Sequence, residues 1–239
     1  MKVLLLGSTG NVGSRILSAL LAHSHTPVLY VRNASKLPQQ VLTSLPSSSI
    51  VTGDASDRNA IAKAIQEHDC EAVISAAGLA GMFSRTEQFP KIFRAVVEAA
   101  ATVGKSRGRP IRCWMLGGFG MLDIPGNHKE NFELIQTIPE NEVAWSILCA
   151  FQMTPAKEAD ATARTKTASD KIIATADVPP NWNARFTWVP LFGTLLNVFA
   201  NIMGYATTLE QAAESVVRDL DKGMDSEFIN KRVGIIAAK

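Results

Sequence analysis

KVLLLGSTGNVG, residues Lys2–Gly13, joins an apolar run to a turn punctuated by glycines. Every position from Val3 to Leu6 is apolar, which is the pattern of a strand buried on both faces rather than one that alternates between core and water. Asn11 to Ala22 then sets Val12, Ile16, Leu17, Leu20 and Leu21 at helical spacing. The junction Gly7-Ser8-Thr9-Gly10-Asn11-Val12-Gly13 is therefore a strand–turn–helix element. Gly7 permits the tight turn, Gly10 lets a pyrophosphate approach the backbone, and Gly13 lets helix and strand pack closely. The helix start adds free N–H groups and the positive end of the helix dipole. All seven residues are candidate contacts to a dinucleotide.

The pattern repeats outward from this junction. Apolar runs at Val28 to Val31, Ile50 to Thr52, Ala72 to Ser75, Ile111 to Leu116 and Val143 to Leu148 alternate with helical segments. Those helices are expected from about Ser35, over Asp57 to Glu67 with Asp57 as N-cap, over Phe89 to Val103 and over Asn127 to Thr137. Such alternation predicts an α/β fold, a Rossmann-like doubly wound parallel sheet with helices on both faces. After Ala150 the rhythm fails: residues 156 to 190 are polar and then rich in Pro and Trp. An amphipathic helix at Thr208 to Asp221 and a strand at Arg232 to Ala237 follow. The expected division is a nucleotide-binding unit over 1–155 and a small C-terminal cap over 156–239 that returns to the same sheet.

Composition narrows the classes. The chain has 239 residues, 46% hydrophobic, with 24 Lys+Arg against 22 Asp+Glu. That apolar fraction fills a core, and a net charge of +2 leaves no footprint for nucleic acid. Cys70, Cys113 and Cys149 form no CxxC pair, so no metal site is expected and buried, reduced thiols in a cytoplasmic protein are the simplest reading. The apolar stretch Val189 to Tyr205 holds Gly193, Asn197, Asn201 and Gly204 and falls short of the roughly 20 residues a spanning helix needs, so no membrane segment is expected. The partner classes left are a small molecule and, as monomer or homodimer, at most a second copy.

At the end of the second predicted strand, where an acid would hold an NAD ribose, the sequence reads Tyr30-Val31-Arg32-Asn33-Ala34-Ser35-Lys36. Arg32 has the planar fork to stack on adenine and pair with a 2′-phosphate, and Lys36 adds a second charge. NADP(H) is accordingly expected in preference to NAD(H).

GxxGxxG with Thr9-Gly10 resembles the short-chain dehydrogenase/reductase superfamily in its atypical, NmrA-like branch, and the resemblance runs from Met1 to about Thr154. It implies a set of further contacts. Asp54, with Ala55 beside it, resembles the adenine-binding Asp of that family, and Ser75-Ala76-Ala77-Gly78 resembles the segment on which the cofactor ribose lies. Most reductases of the superfamily use a Tyr four residues before a Lys, and neither Tyr30 nor Tyr205 stands in such a pattern. Lys129 falls near the Lys of the phenylcoumaran and isoflavone reductase branch, preceded here by Phe119-Gly120. It is either a ribose and catalytic contact or an exposed first-turn Lys, and His128 beside it is a candidate proton donor. Where the branch carries a Pro-Gly turn against the nicotinamide, this chain has Ala150-Phe151, with Met153 close behind.

The substrate side is read from the strand ends. Phe83, Gly117, Gly118, Phe119, Phe151 and Gln152, with the cap aromatics Trp182, Phe186, Trp188, Phe192 and Phe199, either line an apolar pocket or form the core of the cap. The implied function is NADP(H)-dependent reduction of a hydrophobic carbonyl, quinone or activated alkene. A non-redox isomerase, cyclase or lyase on the same fold, and an NmrA-like redox sensor without turnover, are the alternatives.

Overall fold

Val3, Leu4, Leu5 and Leu6 have no exposed surface in the computed structural model, and they divide between two cores. Leu4 and Leu6 face one, Val3 and Leu5 the other, as the two-residue period of a strand requires. The structure describes residues 1–78, 88–118, 121–123, 139–156, 172–186, 188–202 and 204–238.

The strands are β1 (Lys2–Leu6), β2 (Thr26–Val31), β3 (Ile50–Thr52), β4 (Ala72–Ser75), β5 (Ile111–Gly118), β6 (Val143–Ala150), β7 (Gln152–Thr154), β8 (Ile172–Ala176), β9 (Ala206–Thr208) and β10 (Lys231–Ala237). Eight form one sheet in the order β3-β2-β1-β4-β5-β6-β10-β8. Every pairing in it is parallel except β10 with β8, which is antiparallel at the edge. The described helices longer than one 3-10 turn are α1 (Asn11–Ala22), α2 (Gln39–Ser44), α3 (Arg58–Glu67), α4 (Gln88–Arg107), α5 (Gly193–Ile202) and α6 (Leu209–Asp221). Ile61 and Ile65 of α3 and Phe93 and Val96 of α4 close one face of the sheet; Ile16 and Leu20 of α1 and Ala212 and Val216 of α6 close the other. This is the doubly wound, Rossmann-like α/β architecture.

Asp57 caps α3, its carboxylate accepting from the N–H groups of Asn59 and Ala60. The segment expected as a helix from Ser35 is instead a 3-10 turn, Ala34–Lys36, followed by the short α2, because Pro38 and Pro46 bound it. Two features fall where no regular structure was expected. β8 lies within 156–190 and earns its strand only by pairing with β10, while β7 and β9 form a separate two-stranded parallel ribbon. The C-terminal helix α6 shares one core with α1 on the same face of the sheet. The helix expected over Asn127 to Thr137 lies outside the described residues.

Two charge arrangements, the first buried and the second partly exposed, tie distant segments together. Arg112 of β5 donates to Asp219 of α6 at 2.6 Å and to Ala144 O and Ser146 Oγ, with both charged side chains 3% exposed. Trp114 Nε1 and Ser226 Oγ complete the shell of the Asp219 carboxylate. At the C-terminal end of α1, the ring nitrogens of His23 bridge the carboxylates of Asp221, at 2.6 Å, and Glu214, at 2.9 Å. Burial pulls the His23 pKa down, but the hydrogen bonds and charges of these two carboxylates outweigh it and the net shift is upward.

Candidate nucleotide-binding site

The order of the sheet reverses at β1, whose neighbours are β2 on one side and β4 on the other. In open α/β sheets the carboxyl ends of the strands at such a reversal are where ligands bind. Gly7 leaves β1 with φ +82°, and a Cβ on it would lie 2.6 Å from the backbone of Ala76 and Ala77 leaving β4. Only glycine fits both the angle and the contact. A Cβ on Gly13 would in turn strike the carbonyl of Gly7, so α1 starts directly against the turn. Gly10 N–H donates to Gly7 O at 2.9 Å, closing the turn, and no side chain caps α1 nor does an acid stand in its first turn. Among the described residues, its leading N–H groups and positive dipole end have no side chain or acid to neutralise them.

Ser8 carries a second sign of the same kind. It is 2% exposed, and its hydroxyl has no hydrogen-bond partner among the described residues. A buried hydroxyl without a partner costs about 1–3 kcal/mol. A phosphate oxygen at this turn would remove that cost. The donor set is therefore suited to a pyrophosphate: backbone amides, a buried hydroxyl and an uncapped helix.

The neighbouring strand ends supply the rest. Arg32 is exposed at the end of β2, and its charge, with the hydrogen bonds from Ser56, holds the Asp54 carboxyl below its usual range; the Ser56 bonds are the larger cause. Asp54 is exposed and accepts from the Ser56 N–H at 2.9 Å, and Ala55 behind it is buried. Its position depends on a contact that the sequence reading did not include: Tyr30 OH donates to Asp54 O at 3.2 Å, under Gly53, where any Cβ would strike the ring. A Tyr at the end of one strand and a Gly one residue past the next is the only sequence trace of it. Lys36 is exposed in the 3-10 turn beyond Arg32, and Ala76, Ala77 and Gly78 lie along the far side of Gly7.

On the other flank, Gly117 and Gly118 end β5, and Phe151 is half-buried against the core between β6 and β7. Gln152 is exposed, and Met153 is half-buried opposite Thr207 of β9. Glu210 anchors this flank: it accepts from Ala156 N–H at 2.9 Å and from Arg15 of α1 at 3.1 Å. Burial raises its pKa, but those bonds more than offset this and the net shift is downward. Trp182 packs on Tyr205 with ring centroids 6.2 Å apart, whereas Trp188 is 78% exposed. The structure thus sets the turn, Arg32, Asp54 and the Ala76–Gly78 segment at the carboxyl ends of the neighbouring strands β1, β2, β3 and β4, and sets Trp188 in solvent. His128, Lys129, Phe83 and Phe119 lie outside the described residues.

Proton chemistry among the described residues is limited. Tyr30 is buried in β2, where desolvation and then the charges of Asp57 and Asp54 raise its pKa. Tyr205 donates to Pro180 O, and burial pushes it up to about 12. The three cysteines are buried, reduced and likewise pushed up to about 12. No group of three or more potential metal ligands exists among the described residues, and no helix there is long and apolar enough to cross a membrane.

The profile of a family described as NAD(P)H-binding matches residues 7–178. No curated protein sequence matches the chain. Among solved structures, a candidate epimerase from Bacteroides thetaiotaomicron superposes with a TM-score of 0.63 at 19% identity, over 100% of this chain and 97% of that one. A candidate NADH-flavin reductase from Streptococcus pneumoniae gives 0.60 at 17% identity, over 99% of both chains. An anaerobillin reductase from Escherichia coli O157:H7 gives 0.60 at 17% identity, over 99% of this chain and 97% of that one. In all, 1339 solved chains share the fold, so the reaction has to be argued from the site.

Proposed function

This chain belongs to the NAD(P)H-binding family, and on that premise we propose that it is an NADP(H)-preferring reductase of a hydrophobic small molecule, a carbonyl, quinone or activated alkene. The observation that carries the reading is the junction at Gly7, where the start of a helix without a side-chain cap adjoins the buried Ser8 hydroxyl, which has no partner among the described residues. Thr9, Gly10, Asn11, Val12 and Gly13 would offer backbone donors there. Arg32, and Lys36 behind it, would hold a 2′-phosphate, and Asp54 would accept from an adenine amino group. A bound nicotinamide supplies a hydride.

The chain's own part is to place the ribose along Ala76–Gly78, to exclude water with Phe151 and Met153, and to provide a proton. With both tyrosines engaged in the core, that proton would come from His128, Lys129, a water or the substrate itself, with Lys129 as ribose contact. The hydrophobic substrate would enter over Gly117, Gly118 and Gln152. Support for reductase chemistry in particular comes from the reductase names of two of the fold relatives. The same engagement of both tyrosines favours, as the second reading, non-redox chemistry or nucleotide sensing on this fold.

Incubation with NADPH and a panel of hydrophobic quinones, enals and flavins separates the readings. The proposal expects loss of nicotinamide absorbance with at least one acceptor, and a slower rate in Lys129→Ala. Tight NADPH binding with no oxidation across the panel would place the protein with the sensors.

A further inference from the structure

α5 is turned inside out. Asn197 and Asn201 lie one turn apart on its inward face, 1% and 7% exposed. Their side chains bond to the backbone there: Asn197 Oδ1 accepts from Phe186 N–H at 2.8 Å, Asn201 Oδ1 accepts from Asn183 N–H at 2.8 Å, and Asn201 Nδ2 donates to Asn183 O and Asn197 O at 2.7 Å. Gly193 is buried at the same four-residue spacing, and the half-buried Val198 packs against the core beside the asparagines. The outward face is apolar. Leu195, Leu196 and Phe199 are exposed on the helix, and Trp188, Leu191 and Phe192 are exposed in the turn that leads into it. A surface helix ordinarily shows the reverse arrangement.

Three observations bear on what covers this face. First, its extent: the three aromatics and three leucines leave on the order of 700 Å² of side chain exposed. That exceeds the roughly 300–600 Å² of the largest patch on an ordinary monomer and approaches the roughly 800 Å² that each partner gives to a standard interface. Second, its charge: from Phe186 to Leu209 the sequence holds no charged residue. An anionic lipid surface is met by helices with a Lys- and Arg-rich polar face, and a charged partner needs a complement; this face offers neither. Third, Leu191 is 98% exposed with φ +62°, so an apolar side chain is held out by a backbone conformation that leucine seldom adopts.

We infer that this face is a self-association surface, on which two copies of the chain pair about a twofold axis through α5. An uncharged apolar patch is its own complement, which is what an isologous interface requires.

Sedimentation velocity of the full chain over a concentration series, without added nucleotide, tests this. Wild type is expected to sediment as a dimer, and Leu195→Glu/Phe199→Glu, which sets like charges across the axis, as a monomer with an unchanged far-UV spectrum. Hydroxyl-radical footprinting of wild type needs no variant: oxidation of Trp188, Phe192 and Phe199 is expected to fall several-fold as dimer forms. A wild type that stays monomeric at every concentration overturns the inference. So does a dimer that survives the double substitution or forms without protecting those three rings. Monomeric wild type that co-sediments with phosphatidylcholine/phosphatidylserine vesicles overturns it in favour of a lipid surface.

Discussion

The nucleotide end of the sheet and the C-terminal segments that flank it are held by different physics. At the nucleotide end the decisive contacts are made by glycine backbone, Gly7 against the backbone of Ala76 and Ala77, Gly13 against that of Gly7, and Gly53 over the ring of Tyr30. The C-terminal segments are fastened by charged side chains reaching from far along the chain, Asp219 to Arg112, Glu210 to Arg15, and Arg232 to Asp123 and Asp177. The first arrangement leaves amides and a hydroxyl free for a ligand, while the second spends its polar groups on the fold. Binding capacity therefore concentrates where side chains were given up.

The contrast breaks most visibly at Asp219. Removing one member of a buried ion pair strands the other, so Asp219→Ala is expected to cost about 3–5 kcal/mol in urea unfolding, with nucleotide affinity preserved in the fraction that stays folded. Gly7→Val tests the other region. It forces a β-branched residue to positive φ and into Ala76, so nucleotide binding is expected to vanish while stability falls by about 1–3 kcal/mol. Equal losses of binding in the two variants would erase the distinction. Thr208 caps α6 in a reciprocal pair with Gln211, and Thr208→Ala is expected to lose about 1 kcal/mol without touching the affinity for nucleotide.

The smallest effect is the pH dependence of the α1–α6 contact. The folded pKa of His23 lies above 6.5, so its contribution to stability is complete below that value and is lost as pH rises through the folded pKa. His25, lowered chiefly by burial and then by the N-terminal charge, contributes with the opposite sign. The readout is therefore the difference between wild type and His23→Gln: wild type is expected to lose stability relative to the variant as pH rises from 6 to 8 in chemical unfolding. A pH-independent difference would remove His23 from the contact.

This division also governs what the sequence discloses. β1, α1, β3 and β4 are legible because consecutive apolar residues and short glycine spacings are local signals, and Asp57 announces the start of α3 by itself. The glycine turn is legible for the same reason. The support of Asp54 by Tyr30 joins residues 24 apart, and the Arg112–Asp219 pair joins residues 107 apart; no local pattern encodes either. β8 was invisible because an edge strand takes its conformation from its neighbour β10. The aromatics of the C-terminal region were expected in a pocket or in a core, yet Trp188, Phe192 and Phe199 are exposed. Hydrophobicity alone does not say which side of a helix its two asparagines will claim. The Thr208–Gln211 cap, by contrast, had a sequence signature in its Thr-x-x-Gln spacing.

The central claim is that the Gly7 turn and Arg32 together form an NADP(H) site, and equilibrium titration following nicotinamide fluorescence tests it directly. Wild type is expected to bind NADPH at least about tenfold more tightly than NADH, as loss of one charge-assisted contact of about 1.5–3 kcal/mol implies. Arg32→Ala is expected to bring the two affinities together by weakening NADPH alone. No binding of either nucleotide by the folded wild-type protein would contradict the account.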